Sequence, residues 1–430
     1  MNAAGWKRPQ ISLESRERER RVMDIFVARQ PIFDQQQKVF AYELLFRSGL
    51  ANVFTHADPN QATSTVMSNS FIMMGVDTVT GGKKAFLNLT EDLLVDEYVT
   101  LLPKDVTVVE ILETVDPTPA VIGACKKLKD TGYIIALDDF VDKPEYAPLI
   151  DLADIIKVDV LATNAQEQQA LISRLGPKRL RFLAEKVETH EAFQEAVKLG
   201  FSYFQGYFFS KPIILTGKDV PAFKLNYLNI LHELRHEDLN FVKLEELIKK
   251  EMSISYKLLR YINSAAFALR QKIDSIRRAL TLLGEREVRR WLSLLAMTGM
   301  GKDKPEELVI EATIRAKFCE SLAPKVGMTQ RSQDFFFLGL FSLIDAILEQ
   351  PLANALNSMP IADDVKAALL GEENFCRDLY DCVLAYEKGD WEKLPALACK
   401  IGVNEEETPA LYAEAVQWAQ ESFHGVALAE

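Results

Sequence analysis

The sequence has few cysteines, no surplus of positive charge and no long apolar run, and each shortage removes a class of protein. Cys125, Cys319, Cys376, Cys382 and Cys399 are the only cysteines among 430 residues, and they form no CxxC pair. That speaks against a disulfide framework or a structural zinc site, and for reduced thiols in a cytosol. The formal charge is −12, with Lys and Arg interspersed among the acids. Such a chain lacks the basic face that general nucleic-acid binding requires. No apolar run approaches the roughly 20 residues of a membrane helix, and the N-terminus carries no signal-type stretch. Internal repeats and low-complexity tracts are missing as well. What is there is 48% hydrophobic residues over a length too great for one ordinary core. The reading is a soluble, cytoplasmic protein of two domains that does not enter a membrane.

Residues 1–21 are polar, end in a run of mixed charge and have no apolar periodicity, so they read as a flexible leader. Because patterned sequence begins only after Met23, translation starting there is a second expectation, checked by mass spectrometry of the native protein. From Asp24 to Pro212, short β-branched runs alternate with helical patterns, the signature of βα units. The predicted strands are Ile25–Ala28, Val39–Leu45, Ala85–Leu89, Val106–Val109, Tyr133–Leu137, Ile155–Val158, Leu180–Ala184 and Tyr203–Phe204. The connection Gln30–Lys38 is too short for a crossover helix, so the first two strands should be antiparallel. After Pro212 strand signals stop, and apolar residues recur at three-to-four spacing up to about Phe423. The expected fold class is therefore α/β plus all-α: a modified TIM (β/α)8 barrel with an antiparallel start over residues 22–214, a linker over 215–222, and an all-helical domain over 223–425.

Polar residues stand where the predicted strands end: Gln30, Glu43, Asn88, Glu110, Asp138 with Asp139, Lys157 with Asp159, Glu185 and Gln205. In a TIM barrel these ends converge on one mouth. An acidic cluster there suits hard cations such as Mg²⁺ or Mn²⁺, and a pair of such ions is a usual solution for cleaving a phosphodiester. Any one of these residues alone reads as a helix cap or a solvated loop; their recurrence at successive strands carries the inference. Asp138-Asp139 is the most telling pair, because adjacent carboxylates repel and need a compensating cation or a raised pKa.

These segments resemble the EAL family of cyclic di-GMP phosphodiesterases, in family order. Gln30-Pro31 and Glu43-Leu44-Leu45-Phe46-Arg47 are similar to the family signature, followed by Asn88-Leu89-Thr90, Glu110-Ile111-Leu112-Glu113, Asp138-Asp139-Phe140, Lys157-Val158-Asp159, Glu185-Lys186-Val187-Glu188 and Gln205-Gly206-Tyr207 to Pro212. The resemblance implies that Glu43, Asn88, Glu110 and Asp138 are metal ligands, with Asp139 bridging to or holding a second Mg²⁺ or Mn²⁺. It implies that Lys157 polarises the attacking water or the phosphate and that Glu185 acts as acid or base. Gln205 would help to hold the site, and Gln30, Arg47 and Pro212 would contact the dinucleotide. Glu113 would anchor the loop after Asp139. The implied reaction is hydrolysis of cyclic di-GMP to linear pGpG, and Glu43→Ala or Asp138→Ala should abolish it with the fold intact.

The departures from the family lie around these residues. Leu44 replaces an alanine, Ser48 a tryptophan and Lys186 a glycine. Val141-Asp142-Lys143-Pro144-Glu145-Tyr146 replaces a glycine- and serine-rich loop that in the family also links two barrels, so a homodimer through the barrel is one implied assembly. Farther on, Ser255 to Phe267 and Ile273 to Gly284 resemble the HDOD family, relatives of HD phosphohydrolases without their metal ligands. Ser342 and Leu343 stand where a His-Asp pair would sit, so this domain implies an unknown signalling partner rather than chemistry. His232 and His236, one helical turn apart, could ligate metal, but the charges around them read as a solvated face. Arg286, Arg289 and Arg290 read as an ion-paired surface that could instead face an anion or the barrel. Three readings stay open: an active phosphodiesterase with a regulatory domain, a catalytically silent cyclic di-GMP receptor or scaffold, and an unrelated barrel hydrolase.

Overall fold

Side chains along a strand alternate between two faces, so a strand buried on both sides needs apolar residues on each until its function intervenes. A computed structural model describes residues 25–48, 76–210 except 97, 141, 142, 177 and 178, and 221–427 except 237, 265, 266, 268–270 and 358. The leader, Pro212 and most of the linker thus lie outside the described residues, as does the side chain of Arg47. Strands β1 (Ile25–Asp34), β2 (Val39–Ser48), β3 (Lys84–Leu89), β4 (Thr107–Ile111), β5 (Ile134–Leu137), β6 (Ile155–Asp159), β7 (Arg181–Glu185) and β8 (Tyr203–Gln205) close a barrel in sequence order. β1 runs antiparallel to both of its neighbours, β2 and β8, and all other pairs are parallel.

Two strands are longer than the sequence reading has them. β1 and β2 each span ten residues, so Gln30 and Glu43 sit mid-strand, opposite one another in the ladder, rather than at strand ends. The reason is the hairpin. Its turn is confined to Gln35–Lys38, where Asp34 Oδ1 accepts the amides of Gln36 and Lys38 at 2.9 Å. Beyond the Gln30 and Glu43 pair, the ladder continues past the barrel mouth to Ile25 and Ser48.

The barrel helices among the described residues are α1 (Val76–Thr80), α2 (Glu91–Val95), α3 (Pro119–Thr131), α4 (Ala147–Leu152), α5 (Ala165–Leu175) and α6 (His190–Leu199). Their ends follow local chemistry. Thr118 caps the Val121 amide with Pro119 in the first turn, Asn164 and Glu167 form a capping box, and Thr189 caps Ala192.

The second part contains α7 (Ala222–Glu233), α8 (Phe241–Lys249), α9 (Met252–Ile262), α10 (Ile276–Met300), α11 (Glu306–Leu322) and α12 (Ser332–Leu340), followed by α13 (Ile344–Leu348), α14 (Leu352–Leu356), α15 (Asp363–Leu369), α16 (Phe375–Glu387), α17 (Leu394–Ile401) and α18 (Thr408–Ala427). Its described residues contain no strand. Gly284 kinks α10 at φ 74° and ψ 165°. No helix among the described residues is long and apolar enough to cross a membrane.

The protruding hairpin has no crossover helix of its own, and the helical part covers it. Phe26 packs against Trp391 and Tyr386, with ring centroids 5.8 and 6.3 Å apart. On the other face of the ladder, Glu307 of α11 accepts the Tyr42 hydroxyl at 2.7 Å and pairs with Arg29 at 3.5 Å. All three side chains are buried.

Candidate active site

The inner face of the barrel shows how the sequence builds a site. Ile32, Ala41, Phe86, Val108, Ala136, Ile155, Leu183 and Tyr203 form a closed apolar cluster. Two residues farther toward the mouth on each strand come Gln30, Glu43, Asn88, Glu110, Asp138, Lys157, Glu185 and Gln205. The period of two therefore makes the first layer a floor and the second a polar ring. Register sets ring residues side by side on some strands, as Asn88 beside Glu110 and Gln30 beside Glu43, and puts Asp159, two residues past Lys157, beside Glu185.

Lys157 is the centre of that ring, with 1% of its side chain exposed. Its Nζ lies 3.3 Å from Glu43, 2.8 Å from Asp138 and 2.8 Å from Glu185, and also pairs with Glu110. Burial pulls the lysine pKa down, but the surrounding carboxylates outweigh it and hold the group well above its ordinary value. Burial, reinforced by Glu43, raises Glu110 well above the carboxylate range. Glu185 is pushed up to about 7 by burial, against the pull of Lys157.

Glu43 also accepts Asn88 Nδ2 at 2.9 Å and Gln205 Nε2 at 2.8 Å, while Gln205 donates to Gln30 at 3.0 Å. This corrects one expectation. Glu43 is buried and serves three partners, so Glu43→Ala removes a packing element as well as an oxygen donor.

Adjacent Asp138 and Asp139 diverge. Asp138 turns to Lys157, whereas Asp139 takes a left-handed φ of 36°, with its pKa raised by burial and by Asp138. Glu113 is exposed, and its contact with the altered loop runs through its carbonyl, 3.4 Å from the Tyr146 hydroxyl. Arg47 pairs with Phe26 through the backbone ladder. Sequence reasoning missed the pairing of Asp159 with Lys186, and the burial of Arg29 and Tyr42 against Glu307. Alternation with Gln30 and Glu43 is the signal that could have assigned the last two to the outer face.

Because the carboxylates converge on Lys157 Nζ, no three Asp, Glu, His or Cys side chains among the described residues form a ligating cluster by themselves. The donor chemistry nonetheless fits a hard cation. Asn88 Oδ1, Glu110 Oε2, Glu185 Oε2 and Gln205 Oε1 are buried oxygens without a hydrogen-bond partner, and four carboxylates surround one ammonium.

In the helical part, Ser342 donates to the Gly339 carbonyl at 2.7 Å and accepts from Arg315, so the segment expected to lack a His-Asp pair is a packed core turn. His232 and His236 are exposed, though Glu233 beside them is buried. Arg289 donates to the Leu234 and His236 carbonyls, and Arg290 pairs with Glu320 at 3.2 Å and lies over Trp418. Both are ion-paired as expected, Arg289 with Glu285 at 3.8 Å, but they are largely covered and tie helices together as well.

Comparison with known proteins agrees with this architecture. The family model of the EAL domain matches residues 77–212, and that of the HDOD domain residues 220–355. The chain is 38% identical to the uncharacterized protein YuxH of Bacillus subtilis, over 92% of this chain and 98% of that one. It is 33% identical to the cyclic di-GMP phosphodiesterase CdgJ of Vibrio cholerae, over 92% of each chain. Among solved structures, the calcium and cyclic di-GMP complex of Klebsiella pneumoniae BlrP1 matches at 22% identity and TM-score 0.37, covering 44% of this chain and 56% of that one. The chain belongs to the family of proteins that join an EAL domain to an HDOD domain.

Proposed function

We propose that the protein is a cytoplasmic, metal-dependent phosphodiesterase that hydrolyses cyclic di-GMP to pGpG, its helical domain (223–425) being a docking module for a signalling protein. The barrel (22–214) would supply the chemistry. The observation that carries this reading is the buried ring of Glu43, Glu110, Asp138 and Glu185 around Lys157, with unpartnered oxygens facing inward.

Glu43, Asn88, Glu110 and Asp138 would hold a Mg²⁺ or Mn²⁺ ion, with Asp139 beside them at the mouth; whether it takes up a second ion depends on what charge already stands there. A divalent ion there supplies charge that screens the phosphate and acidifies the attacking water. Glu185, pushed up to about 7, can accept that water's proton near neutrality. Lys157 stays charged and keeps the carboxylates in place. Gln30 and Gln205, joined at 3.0 Å, would border the bound dinucleotide, and Arg47 and Pro212 are proposed as further contacts to it. Water adds to one phosphorus, one P–O3′ bond breaks, and the leaving oxygen takes up a proton.

A silent receptor is the second reading, favoured by the stiff segment Lys143-Pro144-Glu145-Tyr146, whose Pro144–Tyr146 forms a 3₁₀ turn. A homodimer through the barrel belongs to either reading. The test is release of pGpG by the purified protein with Mg²⁺ or Mn²⁺, alongside calorimetric binding of cyclic di-GMP in Ca²⁺ or chelator. Turnover establishes the enzyme, binding alone makes a receptor, and neither leaves a scaffold.

A further inference from the structure

Two non-glycine residues at the mouth hold a left-handed backbone, Asp139 at φ 36° and Lys186 at φ 56°. Lys186 stands where the resembled family carries glycine, which adopts this conformation freely; a lysine does so at a cost. The fold gives it no alternative. The Val187 amide donates to the Gln205 carbonyl at 2.9 Å, and the Phe208 amide to the Val187 carbonyl at 3.1 Å. Gly206 is so tightly pressed that a Cβ there would lie 2.1 Å from the Val187 oxygen. β7 is thus clamped to β8 just after the ring, and the turn aims residue 186 across the mouth.

From that turn the Lys186 ammonium reaches Asp159 Oδ2 at 2.5 Å and acts electrostatically on Asp139 and Glu185. Asp159 follows Lys157 by two residues on the same inward face, beside Glu185 in register. Its Oδ1 is already engaged by the Leu161 and Ala162 amides at 2.8 and 3.1 Å. Of the two carboxylates that flank the ring on this side, Asp159 therefore pairs directly with a cation belonging to the chain itself, and Asp139 feels the charge of the same ammonium. The lysine side chain is 53% exposed, so it remains accessible to a bound phosphate.

We propose that Lys186 is a built-in cation that takes the place of one of two metal charges, so that the site loads a single divalent ion and the ammonium stands beside the scissile phosphate. The inference rests on the phosphodiesterase reading and on the ion held by Glu43, Asn88, Glu110 and Asp138.

The test counts Mn²⁺ bound per full-length chain, by equilibrium dialysis read by electron paramagnetic resonance. The wild type should bind one ion, Lys186→Gly two and Lys186→Arg one. Lys186→Gly should unfold at no lower temperature, because glycine relieves the left-handed strain. Two ions on the wild type, or one on both the wild type and Lys186→Gly, would overturn the single-ion site while leaving a metal-dependent enzyme. No ion on either would overturn the metal reading as well.

Discussion

A lysine with four carboxylate neighbours and almost no contact with water is the residue on which the barrel mouth depends. Lys157→Met would leave those acids facing one another without a counter-charge. Removing one partner of a buried charge cluster costs about 3–5 kcal/mol, a loss urea unfolding should register and added Mn²⁺ should partly restore. Asp138→Asn is the milder probe, since Asp138 contributes one ion pair at the rim. It should abolish pGpG release while circular dichroism and melting temperature stay near wild type. On the helical side, the Arg331 hydrogen bonds hold Asp364 below its ordinary value. Such a depressed carboxylate stabilises the fold above its unfolded pKa and loses that contribution as pH falls through the folded one. Asp364→Asn should thus cost at most about 0.5 kcal/mol at pH 7, given its 44% exposure and solvent screening. The difference from wild type should vanish in acid melts. Ring residues such as Asn88 and Glu110 were legible because a polar side chain interrupts an apolar strand. The turn at Lys186 was not, because its φ is imposed by hydrogen bonds between β7 and β8 that no local pattern encodes.

At the scale of elements, β-branched runs alternating with helical patterns announced the barrel, and three-to-four spacing announced the helices that follow it. The hairpin's antiparallel start was legible from the short connection alone. Its length was not: β1 and β2 outrun the rest of the barrel because a partner distant in sequence covers them. Helix crossings likewise leave little local trace. Gly339 in α12 touches α11 so closely that a Cβ would stand 2.3 Å from Ala316 N. Gly339→Ala should therefore force the two helices apart, costing about 1–3 kcal/mol as overpacked cores do. Chemical denaturation of the full chain is the measurement, and Ser332→Ala, at the start of the same helix, should cost less.

At the scale of the molecule, one strand pair serves both halves. Gln30 and Glu43 belong to the ring inside the barrel, while Arg29 and Tyr42, the residues before them, are buried against Glu307 of the helical part. Between the two lies a cavity of about 50 Å³ bordered by Gln30, Gln205, Tyr207 and Glu307. Glu307→Leu should deprive the buried Arg29 guanidinium of its ion-pair partner and cost about 3–5 kcal/mol. Limited proteolysis should then cut between the halves faster than in wild type. Adding Arg29→Met should recover most of the loss, because an apolar pair tolerates burial better than a lone charge. No sequence motif announced this contact, since its members are 278 positions apart and individually ordinary.

The hairpin that overruns the barrel also bears on how such a chain can be rearranged. Phe26 rests on Tyr386 and Trp391, from a part of the chain beyond the matched HDOD segment. The helix that precedes Trp391 also supplies Glu387 to the Arg315 pair, at 2.6 Å. A barrel excised at its last strand would present the Phe26 ring without Tyr386 and Trp391, and the Arg29 guanidinium without Glu307. The two halves are therefore not interchangeable cassettes: a lineage that swapped either one would have to reinvent the surface of the other.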